Sequence, residues 1–193
     1  MTSTQWTGDH EGKPAPNPLR RVQSLINTVD LESGQDRLAK VDDARPWLVG
    51  NGLLAAESTV GHDDLRMVAE VRESLRALVI HNSGGPAPDP AAMGPLHGLA
   101  GAAVIRAALD ENGRVSLIDQ DDSLRARLLS LLLTVRDAQL DGTWTHLKAC
   151  ANDGCRWAFY DRSRNHGGTW CDMATCGNKL KNREFRARRR QPG

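Results

Sequence analysis

The residues with the most obvious chemistry are four cysteines, Cys150, Cys155, Cys171 and Cys176, all in the last quarter of the chain. Their spacing is C-x4-C-x15-C-x4-C. Two close pairs, separated by enough chain for a hairpin, can converge on one tetrahedral ion. Zn²⁺ suits four thiolates at roughly 2.3 Å each. The alternatives are two disulfides, four free thiols or an iron–sulfur cluster. The clustering of every cysteine in one short, aliphatic-poor segment favours zinc, because about 45 residues of this composition need a metal to fold. Four cysteines also satisfy the ion completely. That argues for a closed structural site rather than a catalytic one, and leaves His146 and His166 as surface residues.

The segment that holds the cysteines is basic. Residues 148–193 carry 11 Lys and Arg against 4 Asp and Glu, a net +7, whereas residues 1–147 carry 14 against 20, a net −6. The near-neutral total hides an acidic body and a basic tail, a pattern that points to a polyanionic partner. From Asn178 onward the spacing predicts a helix with Asn178 as its cap. Lys179, Arg183, Arg186 and Arg190 then fall within about 60° of one another on one face. Lys181, Arg188 and Arg189 widen that stripe. Zinc would fix the first turn and the finger would aim the stripe outward. A solvated charged tail is the plainer alternative.

Between the cysteine pairs, "RWAFYDRSRNHGGTW" fits two short strands around a turn at residues 165–168. Six of the eight aromatic residues fall between Trp144 and Phe185. They fit a small core around the metal better than base-stacking platforms, for which Tyr160 is the candidate.

The elements that must carry this finger are mostly helical. Apolar residues at spacings of three and four predict a helix over residues 18–29, and a second over 44–54. The clearest runs from Asp63 to His81, with Asp63 or Asp64 as its cap and Leu65, Val68, Val71, Leu75, Leu78 and Val79 as its buried stripe. "NSGGPAPDPAAMGP" reads as a loop. Residues 102–119 read as a β-hairpin with a type I′ turn at Asn112-Gly113. Ser123 caps a last helix through Leu140. The polar, Pro- and Gly-rich residues 1–17 read as a disordered leader. No stretch approaches the roughly 18 apolar residues of a membrane span, and the start lacks the basic and apolar regions of a signal peptide, which points to the cytoplasm, where thiols stay reduced.

"CANDGCRWAFYDRSRNHGGTWCDMATCGNKLKNREFRAR" resembles the CGNR zinc finger of bacterial transcription regulators, in the x4 spacing of both pairs, "FYDRSRN", "WC-x-M" and Cys-Gly-Asn. In that family the finger follows an ABATE domain, which is taken to sense a ligand or stress signal. "LINTVD", "ARPWL", a hairpin and a helix leading into the finger match that order. The resemblance implies an α+β fold: a mostly helical domain with a β-hairpin over 18–142, then a treble-clef-like four-cysteine zinc finger over 143–193 ending in a basic helix. It implies one structural Zn²⁺ on Cys150, Cys155, Cys171 and Cys176, and a transcription regulator with no catalytic residue. Double-stranded DNA is the implied partner, with a small-molecule effector and a homodimer beside it. Carried over by position, DNA contacts fall to Arg162, Arg164, Asn178, Lys179, Lys181, Arg183 and Arg186, with Arg188, Arg189 and Arg190 on phosphates. Lys179 stands where the family motif ends in Arg. It keeps the charge and loses bidentate recognition.

Two alternatives stand beside this. A nuclease would use His166 with Asp161 or Asn165. An interaction module would bind RNA or a protein such as RNA polymerase. A ligand pocket near Asn27, Asp30 and Trp47 competes with ordinary capping and core packing at those residues, which is the stronger reading. The effector-binding residues stay unassigned.

Overall fold

The computed structural model describes Trp6 and residues 11–102, 104–119 and 121–179. The fold class is α+β, as expected: five α-helices and three two-stranded antiparallel sheets among the described residues. The central element is α3, His62–Asn82, which buries Leu65, Val68, Val71, Leu75 and Val79. Asp64 closes its first turn by accepting from the Gly61 N–H at 2.8 Å. Around it pack α1 (Arg20–Ile26), α2 (Val41–Gly50), α4 (Gly94–Gly101) and α5 (Leu124–Leu140). Ser123 caps α5, its Oγ accepting from the Ala126 N–H at 3.2 Å.

Several boundaries differ from the sequence expectation for identifiable reasons. Helix α1 stops at Ile26, because Asn27 sends its side chain away to another strand and Val29–Asp30 (β1) pairs with Gln35–Asp36 (β2). Helix α4 begins at Gly94-Pro95, the end of the stretch expected as a loop; burial of Leu96 and Leu99 overrides the weak propensity of its three glycines. The hairpin forms from Ile105–Leu109 (β3) and Val115–Asp119 (β4), with Leu109 opposite Val115. Its turn is not type I′. Only Gly113 takes positive φ (+78°), and the Gly113 N–H donates to the Asp110 carbonyl, giving a three-residue loop ending in a left-handed glycine.

The finger's sheet also differs. Leu147–Ala149 (β5), ahead of the first cysteine, pairs with Ala158–Tyr160 (β6), in the register Leu147 to Tyr160 and Ala149 to Ala158. Residues 161–170 form a loop, not the second strand expected there. The sheet is part of the main core: Trp144, Leu147, Ala149, Ala158 and Tyr160 are buried in one cluster with Leu25, Leu75 and Leu131.

Buried amides on α1 lock the two parts together. The Asn27 side chain pairs with β6 as a strand would, its Oδ1 accepting from the Ala158 N–H at 2.8 Å and its Nδ2 donating to the Ala158 carbonyl at 2.9 Å. One turn earlier, Gln23 donates to the carbonyls of Lys13 and Ala158 and accepts from the Ala15 N–H. Residues 11–17, expected within a disordered leader, are therefore held in place. Ala15 is buried, and the Lys13 carbonyl accepts from the Tyr160 N–H at 2.9 Å. From the other side, Asn82 donates to the carbonyls of Trp144 and Leu147, and the buried Arg76 guanidinium donates to those of Ile26 and Arg156.

Replacing Asn27 with Ala strips the Ala158 N–H of its acceptor and Glu11 of its donor. At roughly 1–3 kcal/mol for each buried group left unpaired, the expected loss is about 3 kcal/mol. Denaturant unfolding followed by tryptophan fluorescence checks this. Body and finger should unfold in one transition, and two separated transitions would contradict the shared core.

Candidate metal centre and its basic edge

Cys150 directly follows β5, and its N–H donates to the Trp157 carbonyl at 2.9 Å. The chain then turns tightly, with the N–H groups of Cys155 and Arg156 both donating to the Asn152 carbonyl. Arg156 takes the left-handed conformation (φ +48°) to complete the turn. An Ala151 N–H bond to the Thr169 carbonyl brings the second pair alongside. Residues Met173–Gly177 make one wide helical turn, capped by Asp172, whose Oδ1 accepts from the Ala174 N–H at 2.7 Å. The cap is thus Asp172; Asn178, expected in that role, already has helical dihedrals and donates to the Ala174 carbonyl. Gly177 is closely packed: a Cβ there would sit 2.5 Å from the Met173 sulfur and 3.2 Å from the Trp170 ring, so a larger residue would have to displace the Met173 side chain.

All four Sγ atoms lie within 4.8 Å of one another, and no disulfide joins them. Cys155–Cys171 and Cys171–Cys176 are 3.7 and 3.8 Å apart. A regular tetrahedron of sulfurs at about 2.3 Å from a zinc ion has edges of about 3.8 Å, so the donor set fits that ion; a disulfide needs about 2.05 Å. The four thiols could hold one zinc ion. Without one they cannot all ionise. Cys150 is held well below the ordinary thiol range by hydrogen bonds from Cys155 and Cys171, and Cys155, bonded to Cys150, is pushed up to about 12. A divalent cation removes that conflict. The Asn152 amide touches Cys176 Sγ at 3.8 Å.

Asp161 organises the loop between the pairs. Its carboxylate is 3% exposed. It accepts from the Ser163 N–H and Oγ, from Lys148 Nζ at 3.0 Å and from the Gly168 N–H at 2.6 Å. Burial pushes this carboxyl up, but the hydrogen bonds from Ser163, Lys148 and Gly168 outweigh it and hold the group well below the usual carboxylate range. Gly168 must be glycine here, because a Cβ would lie 2.8 Å from that carboxylate. His166 bonds the Asp161 carbonyl and stacks on His146 at 3.7 Å between ring centroids. Burial and the neighbouring His166 pull His146 down. Of the groups a nuclease would use, Asp161 and His166 are engaged in holding the loop, while Asn165 is exposed on it. Among the described residues, the four cysteines are the one group of three or more His, Cys, Asp or Glu residues placed to share an ion.

The aromatic residues divide. Trp144, Phe159 and Tyr160 are buried, so Tyr160 is packed in the core and is not a stacking platform. Of the expected DNA contacts, Arg162 and Arg164 are exposed on the Asp161 loop, with Arg162 donating to the Pro14 carbonyl at 2.9 Å. Asn178 and Lys179 are exposed directly after the buried Cys176 and Gly177. The Lys179 ammonium is ion-paired with Glu32 of the body. Lys181, Arg183, Arg186, Arg188, Arg189 and Arg190 lie outside the described residues, as does Phe185.

Residues 19–148 match the ABATE family, described as "putative stress-induced transcription regulator". The chain belongs to the ABATE family. Residues 146–189 match the CGNR zinc finger, so the two matches overlap on β5. No curated protein matches the chain. One description is that of a putative transcription regulator and the other that of a zinc finger; neither names an enzyme. No helix among the described residues is long and apolar enough to cross a membrane. The ABATE body's contribution to the finger was not readable in advance. Gln23 and Arg76 read as ordinary helix residues that only their burial marks, whereas Asn27, weighed as a pocket residue against capping and core packing, is buried against Ala158.

Zinc analysis of the purified protein should give one ion per chain, falling to near zero in Cys176→Ser. A second ion, or an unchanged content in the variant, would refute this donor set. Asp161→Asn leaves the buried Lys148 without its counter-ion and should cost about 3 kcal/mol near neutrality. Because the folded-state pKa of Asp161 is depressed, its stabilisation is full above the unfolded value of about 4 and is lost as pH falls below it. The gap between wild type and variant in denaturant titrations should therefore narrow below about pH 4.

Proposed function

We propose that this ABATE protein is a DNA-binding transcription regulator whose finger docks on duplex DNA and whose body senses a small molecule. The supporting observation is the turn Cys176–Lys179. Its Cys and Gly are buried against the metal centre while its Asn and Lys face outward, so the basic residues that follow start from a rigid point. In this reading Cys150, Cys155, Cys171 and Cys176 hold a structural zinc. Asn178, Lys179, Arg162 and Arg164 contact DNA together with Lys181, Arg183, Arg186 and Arg188–Arg190. Lys179 contributes a point charge to phosphate rather than a bidentate grip. The Glu32–Lys179 pair then competes with DNA, linking the acidic body to the nucleic-acid edge.

A second reading has its own support. Ile105, Leu109, Val115 and Leu117 share one exposed, apolar face of the β3–β4 hairpin, which suits a protein partner or a second copy of the chain.

Fluorescence anisotropy of the zinc-loaded protein on random duplex DNA, across a salt series, tests the first reading. The expected log–log slope is about −4 to −8, from roughly 0.9 per phosphate neutralised. Absence of binding at low salt, or a clear preference for RNA of equal charge, favours the interaction module. Glu32→Gln should tighten DNA binding modestly, by about two- to fivefold, as expected for an exposed ion pair.

A further inference from the structure

Six of the nine large apolar residues left exposed among the described residues lie on one hairpin, between Val104 and Ile118. Exposed apolar surface so concentrated marks a contact with another molecule. Strand β4 packs beside α5, which leaves β3 as the outer strand. A hairpin of two strands is marginal in water, and further strands are one remedy.

Soluble proteins ordinarily blunt such an edge with lysines, a proline or a bulge. Strand β3, IRAAL, has none of these, and its register with β4 runs one to one from Ile105 to Leu109. The ladder also fixes which of its backbone groups are free. The Asp110 N–H donates to the Arg114 carbonyl, so the positions of β3 bonded to β4 are the alternate ones before it, Ala108 and Arg106. The N–H and C=O groups of Ile105, Ala107 and Leu109 then point away from β4. None of them is bonded to another described residue, and all three residues are exposed.

We propose that β3 pairs with β3 of a second copy of this chain, antiparallel about a two-fold axis at Ala108, to make one four-stranded sheet. The charges select this register. It sets Arg106 of each copy opposite Asp110 of the other, and opposite charges across neighbouring strands stabilise the pair. Pairing about Arg106 itself would set like charges opposite each other, which is destabilising. About Ala108, Ala107 meets Leu109 of the second copy and Leu109 meets Ala107. Both carry outward N–H and C=O groups, so each of these pairs exchanges two hydrogen bonds. The axis falls between two Ala108 side chains, small enough for the close approach of a non-hydrogen-bonded pair. The apolar faces of the two hairpins join into one. This rests on the second reading of the hairpin given above and commits it to one partner.

The test is sedimentation equilibrium of the zinc-loaded full chain, without DNA, over a range of concentrations. A reversible monomer–dimer equilibrium is expected, with half-dissociation at about 10–100 μM. Ala107→Pro removes only an outward N–H, a place where an edge strand tolerates proline. It should weaken the dimer at least about tenfold with unchanged zinc content and circular dichroism. Should that variant misfold, Arg106→Glu, at an exposed position, sets a carboxylate opposite Asp110 and should weaken the dimer to a similar degree. Ala108→Cys should link two chains by a disulfide on mild oxidation where wild type, treated alike, stays unlinked, since Cα atoms of a non-hydrogen-bonded pair are about 4.5 Å apart. A chain that stays monomeric up to about 1 mM overturns the proposal and gives the hairpin to a different protein. So does a dimer that folded Ala107→Pro or Arg106→Glu leaves as tight as wild type, or one that Ala108→Cys fails to link. With no DNA present, such a failure leaves DNA docking intact, and failure of the anisotropy experiment leaves the dimer intact.

Discussion

The structure depends on a side-chain amide acting as a piece of backbone. Asn27 both gives to and takes from Ala158, so the last residue of α1's turn completes the edge of the finger's sheet. The exchange is buried, which makes it directional and costly to break. Gln23, one helical turn earlier, extends the pattern to Lys13 and Ala15. Three segments distant in sequence meet on two amides, and the metal-binding loops hang from that junction.

Much of the site was legible because it depends on local sequence. Metal-ligand spacing is short-range, and the tetrad at 150, 155, 171 and 176 closes as the spacing predicts. Helices α3 and α5 have strong apolar periodicity and capping residues, and they lie where that periodicity places them. The misses share a cause: tertiary contacts that no local window contains. Residues 11–17 look like a polar leader until Gln23 and Tyr160 supply their hydrogen-bond partners. The strand expected after Tyr160 is replaced by a loop, because Asp161 collects four donors at one carboxylate. Its true partner, β5, lies before the first cysteine. The turn at Gly113 differs because Asp110 accepts the Asn112 and Arg114 N–H groups on its side chain, favouring the longer loop.

Charge is arranged on the same plan. Among the described residues, the acidic body and basic tail inferred from composition meet at Glu32 with Lys179. A phosphate arriving there displaces a carboxylate rather than water alone. Part of the gain from neutralising Lys179 is therefore already realised in the free protein, and the contact is better suited to adjusting affinity than to supplying it.

The overlap of the two family matches at β5 has a consequence for how such proteins can be cut and recombined. Residues 147–149 belong to the finger by hydrogen bonding and to the body by burial. A graft that begins at Cys150 would leave β6 without its neighbour strand. One that begins at Thr143 would bring Trp144, Leu147 and Tyr160 into water. The heritable unit here is the pair, and a chimera preserves it only by carrying α1, α3 and the finger together.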